Sequence, residues 1–380
     1  MKYVILRCED AARASERMAA LLESGKLPHL QQLAQAGAAG LIRRRQQGQS
    51  VDRLHLHRAL CGVDSQDANA APARWYAASM NLQLAAGETA WCADLLTQQE
   101  GKVVDPSSGG ISTKEGAVLI QMLNETLGSE TRRWVTGSGG HHLLVSREAL
   151  PQRESRLASP SPELLVGQAW RRHVPKGASG QRLIGLLEEA ATLLERHDVN
   201  RVRVDLGENP ANMVWLWGAT NEGMGRTAAQ RTKRFGIVCS RWFPLRGFAS
   251  CLGWDWREGP TSLEESALKR SMTAAPGLIE QHELMYLHLR VETADPVERL
   301  CAMERIDRFI LKPLTEWLPS QGPWRLVAVI DGRTSGVVPL IAIGSELPRH
   351  PVARLDAKSL AGSGLVFEDG EGIFSWFTKQ

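Results

Sequence analysis

The ten residues Asn209–Gly218, NPANMVWLWG, constrain this chain more than any other stretch. An Asn-Pro turn leads into a run of large apolar side chains, the form of a buried strand that leaves a turn. Trp215 and Trp217 stand two apart, so in an extended segment both indoles share one face. There they can seal a cleft or a seam between domains.

Around this stretch the apolar pattern alternates between strand and helix. Lys2–Leu6 predicts a first strand, and an apolar run of this kind suits a parallel sheet buried on both faces. Helical spacing follows over Ala11–Ser24 and Leu30–Gln35, with a glycine stop at Gly37. Ser112 or Thr113 is placed to cap a helix carrying Val118, Ile120, Met122 and Leu123, with Glu115 in its first turn. Gly137–Val145 has the form of a hairpin arm, and Ser155–Pro162 that of a loop. Gln181–His197 predicts a strong amphipathic helix. Asn200–Leu206 alternates Val202, Val204 and Leu206 against Arg201, Arg203 and Asp205, which predicts a half-buried strand. Further strands are expected at Arg234–Ser240, Met285–Val291, Trp324–Ile330 and Pro339–Gly344, and a long helix at Val297–Leu318. Strand–helix alternation at both ends of the chain predicts an α/β fold whose parallel sheet is assembled from discontinuous segments.

A length of 380 residues allows two domains, or one domain with a large insertion. The net charge of +3 gives no reason to expect a nucleic-acid or membrane partner. Arg43–Arg45 and Arg171–Arg172 read as solvated surface. The six cysteines form no C-x-x-C pair, which argues against zinc clips and suits a reducing compartment. The amino-terminal apolar run is too short for a secretory signal, and no stretch approaches the roughly 18 apolar residues of a membrane span. A cytoplasmic protein is expected.

Several stretches carry a family resemblance. LPHLQQLAQAGAAGLI (Leu27–Ile42), AASMNLQLAAGETAW (Ala77–Trp91), Gly101–Gly128, PAN-x-x-WLWG (Pro210–Gly218) and the tail Leu355–Phe377 occur in this order along the chain. They resemble the landmarks of the archaeal-type, cofactor-independent phosphoglycerate mutases of the alkaline-phosphatase superfamily. The resemblance implies an alkaline-phosphatase-like parallel sheet flanked by helices, formed by residues 1–87 and 235–380. A smaller α/β domain, residues 88–234, would be inserted into it.

The same resemblance implies a mechanism with two divalent metal ions, held by Asp and His residues, and a serine that carries the phosphoryl group. Two dications need many hard or imidazole ligands. At the implied positions this chain reads differently. Cys8 stands at the first aspartate and Arg53 at the nucleophile, counted back from Gly62. Glu292–Val297 replaces a ligand-bearing loop, and Arg333–Gly336 replaces a histidine loop. Only Asp331 remains as a metal-ligand remnant, with a turn or cap residue as its other reading. Where the family has pocket residues, this chain has Gly110, His141 and Cys92. Asn212 and Arg246 remain.

The expectation is therefore a catalytically inactive relative kept as a binding or regulatory protein, without a metal cofactor. Arg53, Asn212 and Arg246 are its candidate ligand-binding residues, and its partner would be a small phosphorylated ligand or another protein. Arg53 with His55 and His57 could share a face of an extended segment as an anion site, or form a solvated polar edge. The adjacent His141 and His142 would point to opposite faces. Cys8 and Cys92 read as buried, inert thiols. The alternative is an active phosphoglycerate mutase, or another phosphoryl-transfer enzyme, with a rebuilt Mg or Mn site that recruits Glu9, Asp10, Asp52, Glu292, Asp295 and Asp331.

Overall fold

A computed structural model describes residues 1–12, 21–23, 26–43, 53–63, 71–148, 159–221, 235–293, 295–332 and 336–379. Strand β1 (Lys2–Ala12) is followed by helix α1 (Pro28–Ala36), strand β2 (Ala38–Arg43) and helices α2 (Arg53–Leu60) and α3 (Pro72–Ser79). The middle of the chain supplies β3 (Thr89–Gln99), β4 (Lys102–Asp105), α4 (Thr113–Leu127), β5 (Arg132–Ser138) and β6 (His141–Ser146). It continues through α5 (Ala178–Arg196), α6 (Asp198–Asp205) and β7 (Met213–Thr220). Then come β8 (Gly236–Cys239), α7 (Phe243–Leu252), β9 (Asp255–Arg257), α8 (Glu265–Gln281), β10 (Leu284–Arg290) and α9 (Pro296–Ile306). The last strands are β11 (Trp324–Gly332), β12 (Val337–Gly344) and β13 (Val366–Glu368).

The strands form two sheets. An eight-stranded sheet has the order β13-β2-β12-β11-β1-β10-β8-β9, and a five-stranded sheet joins β4-β3-β6-β5 with β7 paired to β3. In the larger sheet β1, β10, β11, β8 and β9 run parallel, and β12 pairs antiparallel with both β11 and β2. The expected mixed α/β architecture with a parallel-rich sheet and flanking helices is what the chain forms.

Side-chain alternation sorts β1 between two cores. Val4, Leu6 and Cys8 join a cluster with Leu287, Leu289, Ala328 and Ile330 under the outer helices. Tyr3 and Ile5 join a second cluster that runs through α3 and α7 into the smaller sheet, where it takes in Trp91, Trp215 and Trp217. The two sheets therefore share one continuous apolar core. The junction is close, because Gly247 of α7 lies against α3 where an added Cβ would meet the Trp75 carbonyl oxygen at 1.8 Å.

Several local expectations are met. Ser112 caps α4 in a capping box with Glu115, β5 and β6 form the hairpin, and the long helix near residue 300 begins at Asp295 as N-cap. Val118 of α4 is 47% exposed and does not join the buried face expected of it.

Three expectations are corrected. Ala11 and Ala12, read as the start of a helix over Ala11–Ser24, end strand β1, and residues 13–20 and 24 of that stretch lie outside the described residues. Asn200–Leu206 is helix α6 and its end, not a strand. The side chain of His197 accepts the Val199 N–H and starts the helix. Asn200 and Arg203 are the buried members, while Val202, Val204 and Leu206 are exposed. The Asn200 amide binds the Leu194 and Ala211 carbonyls and accepts the Ala211 N–H. Buried polar anchoring outweighed an apolar alternation that tertiary contacts never used. Likewise residues 53–60 form helix α2, so His55 and His57 do not share a face as they would on a strand.

Candidate functional site

The site grows from the carboxyl ends of the parallel strands, where open α/β sheets place their binding crevices. Strand register does the positioning. Arg7 of β1 pairs with His288 of β10 and with Val329 of β11. Cys239 pairs with Leu287, so Ser240 follows in step with His288. Arg7, Glu9, Tyr286, His288 and Asp331 are all buried. Cys8, the residue between Arg7 and Glu9, points into the opposite core, where burial pushes its thiol pKa up to about 12.

Arg7 is the centre of charge. Its Nη2 donates to Asp331 Oδ2 at 2.7 Å and lies 3.9 Å from Glu9 Oε1. Burial alone would lower the Arg7 pKa, but the Glu9 and Asp331 carboxylates outweigh it and keep the guanidinium charged. Glu9 Oε2 accepts a 2.6 Å hydrogen bond from His288 Nε2, and the other nitrogen, Nδ1, lies 2.9 Å from Ser240 Oγ. Ser240 Oγ also accepts the Trp242 backbone N–H at 3.0 Å. His57 of α2 covers the group, with Nδ1 at 2.6 Å from the Tyr286 hydroxyl and Nε2 at 3.8 Å from Glu9 Oε2. Burial lowers the His288 pKa below the ordinary imidazole value, against the pull of Glu9.

A second polar network faces this one from the smaller sheet. Asp94 of β3 accepts hydrogen bonds from the Tyr76 hydroxyl at 3.1 Å and from Trp217 Nε1 at 2.8 Å. His141 Nδ1 lies 3.1 Å from Asp94 Oδ1, and its Nε2 accepts from Trp242 Nε1 at 3.3 Å. Trp242 thus touches both networks. Trp217 lies in the seam, as its place in the motif suggested, while Trp215 donates to the Pro160 carbonyl.

Between the networks lies a cleft of about 600 Å³, walled by Ser107, Gly110, Thr113 and His141 on one side and Ser240, Trp242, His288 and Arg290 on the other. Of the expected ligand-binding residues, Asn212 and Arg246 do not line this cleft. Asn212 clamps the Gln98 backbone, accepting its N–H and donating to its carbonyl. Arg246 is exposed on α7, its guanidinium 5.5 Å from the Trp256 ring centroid. Arg53 opens α2, and its side chain lies outside the described residues. Asp331 is in the site, but as the partner of Arg7.

Of the acids of the rebuilt-metal alternative, Glu9 and Asp331 meet at Arg7, while Glu292 and Asp295 are held elsewhere. Asp295 caps α9 and Glu292 pairs with Arg290 at 2.9 Å near the surface. Asp52 and residues 333–335 lie outside the described residues. His141 and His142 do diverge, with His142 buried in the smaller sheet. Sequence reasoning missed His288, and it took His57 only as part of an anion face with Arg53 and His55. The available signal was a histidine within the apolar run MYLHLRV at the end of a parallel strand, where a buried polar residue needs a partner.

For the metals that the resemblance implies, the residues are a poor fit. Glu9, His57 and His288 offer ligand atoms all within 4.8 Å of one another, a set with the composition of a single-ion site. The Arg7 guanidinium already neutralises Asp331 and approaches Glu9. Two ions and that guanidinium would repel one another in a buried site.

Comparison with known proteins agrees in one direction. Residues 34–200 match the family model of the 2,3-bisphosphoglycerate-independent phosphoglycerate mutases. A probable 2,3-bisphosphoglycerate-independent phosphoglycerate mutase of Geobacter sulfurreducens is 29% identical over 97% of this chain and 98% of its own length. The corresponding mutase of Methanothrix thermoacetophila is 27% identical over 98% of each chain. Among solved structures, a cofactor-independent phosphoglycerate mutase from Thermoplasma acidophilum superposes with a TM-score of 0.58 at 19% identity, covering 100% and 99% of the two chains. A Pyrococcus horikoshii protein gives 0.65 at 16% identity over 97% and 94%. These two share the fold.

Proposed function

The chain is a homologue of the archaeal-type cofactor-independent phosphoglycerate mutases, and from that premise we propose that it keeps their cleft without their two-metal reaction. On this reading it is a cytoplasmic protein that binds a small phosphorylated or similarly polar ligand between its two sheets. The observation that carries the reading is the Arg7–Asp331 ion pair, buried at 2.7 Å beside Glu9. A fixed internal cation does there what a bound dication would do, which is to neutralise converging carboxylates.

A second reading is favoured by the cluster of Glu9, His57 and His288: a phosphoryl-transfer enzyme rebuilt around one ion rather than two. Elemental analysis of protein equilibrated with Mn, Zn and Mg separates the two, combined with a coupled assay of 3- to 2-phosphoglycerate conversion on the same sample. No retained ion and no turnover are expected. One ion per chain would favour the second reading, and two ions with turnover would overturn the first.

A further inference from the structure

We propose that Ser240, His288 and Glu9 form a nucleophilic triad that takes the acyl group of a small ester bound in the cleft. This goes beyond ligand binding, and it uses neither the nucleophile position marked by Arg53 nor a metal ion.

The hydrogen bonds have the required polarity. The Glu9 carboxylate only accepts, so the 2.6 Å contact places the His288 proton on Nε2. Nδ1 is then a lone pair, and it can only accept the Ser240 O–H at 2.9 Å. The Ser240 oxygen already accepts the Trp242 N–H, which aims its remaining hydrogen at the imidazole. Nucleophile, base and orienting carboxylate are thus connected in series, the arrangement by which such triads are recognised whatever their order in the chain. The two ring nitrogens are used in the reverse sense to the serine proteases, with the acid on Nε2.

The placement also suits the role. Ser240 lies in the turn between the end of β8 and the start of α7, and it lies with His288 in the wall of the cleft, both side chains buried (0% and 3% exposed). Arg290 lines the same wall, and its buried Nε meets no hydrogen-bond acceptor among the described residues. In the reaction Ser240 Oγ attacks the ester carbonyl carbon as its proton passes to His288 Nδ1. The bond to the alcohol then breaks, and the departing alkoxide takes that proton. Water, deprotonated by the same nitrogen, releases the acid and restores the serine. Glu9 is a positioning residue that holds the imidazole tautomer.

A small dialkyl phosphorofluoridate tests this directly, with a chelator present so that the outcome does not depend on metal content. Oγ bonds to phosphorus, the P–F bond breaks, fluoride leaves and the proton goes to His288. Mass spectrometry of the full-length protein and its peptides should find one adduct, on Ser240, absent from Ser240→Ala. In folded His288→Gln the labelling rate should fall about 100-fold, the size of a general-base contribution. Heat-denatured wild-type protein should not label at the native rate. No adduct on Ser240 in the native protein would overturn the proposal, as would labelling that survives denaturation or is undiminished in His288→Gln.

Discussion

At Arg7 a full charge is buried with 1% exposure, and its effect on stability depends on keeping its partners. Replacing it by an apolar residue, Arg7→Met, removes the buried guanidinium that Asp331 and Glu9 share. Loss of about 3–5 kcal/mol is expected, read as a lowered denaturant midpoint, and a neutral result would show that the pair is not what neutralises the site. His142 gives a pH prediction. It is fully buried, its Nδ1 accepts the Gly137 N–H at 3.0 Å, and burial, with the adjacent His141, pushes its pKa from 6.5 down to about 3. The folded state binds this proton less readily than the unfolded state. The contribution is therefore complete above pH 6.5 and is lost as pH falls toward 3. Stability should decline by about 1.4 kcal/mol per pH unit from this group on that limb. Unfolding curves of His142→Gln, taken between pH 6.5 and 5, should show a slope shallower by that amount.

Among elements, the contact of α3 with α7 joins the two sheets. Ser79 donates to the Phe243 carbonyl and accepts the Gly247 N–H, so one hydroxyl ties the helices at their closest approach. Gly247→Ala puts a methyl group into the Trp75 carbonyl oxygen, and neither helix backbone can move without displacing the other. A loss of about 1–3 kcal/mol or more is expected, with Trp242 fluorescence altered because α7 begins next to it. An unchanged melting temperature would refute this view of the junction. These helices also show how far sequence carries. The cap of α4, the hairpin of β5 and β6 and the strands β1, β10 and β11 were legible, because each follows from local patterning that burial then reinforces. Helix α6 was not, since its alternating valines are exposed and its true anchors, Asn200 and Arg203, reach partners distant in sequence such as Glu115, 3.0 Å from Arg203. Amide contacts to residue 211 and salt bridges to residue 115 have no local signature.

For the molecule as a whole, the shared core bears on cooperativity. One apolar cluster contains Ile5 and Tyr286 of the larger sheet, Trp75 and Phe248 of the junction and Leu95 and Trp215 of the smaller sheet. Opening either sheet alone would expose that common surface. Thermal unfolding should therefore be a single transition by both calorimetry and tryptophan fluorescence, with calorimetric and van't Hoff enthalpies in agreement. Two resolved transitions would show that the sheets are energetically separate. Among the described residues no helix is long and apolar enough to cross a membrane.

By itself the sequence determined the fold class, the buried tryptophan strand and the family likeness. Apolar periodicity and an unbroken run of motifs are properties of neighbouring residues, and they persist in any view of the chain. Only the tertiary structure decided which polar groups meet. Glu9, Ser240 and His288 come from three separate segments, and parallel strand register brings them within hydrogen-bonding reach under the cover of His57 of α2. The same register turned Cys8 away from the site and placed Arg7 on Asp331. A one-residue step along a strand exchanges one face of the sheet for the other, and linear reading could not tell which face β1 presents to the cleft.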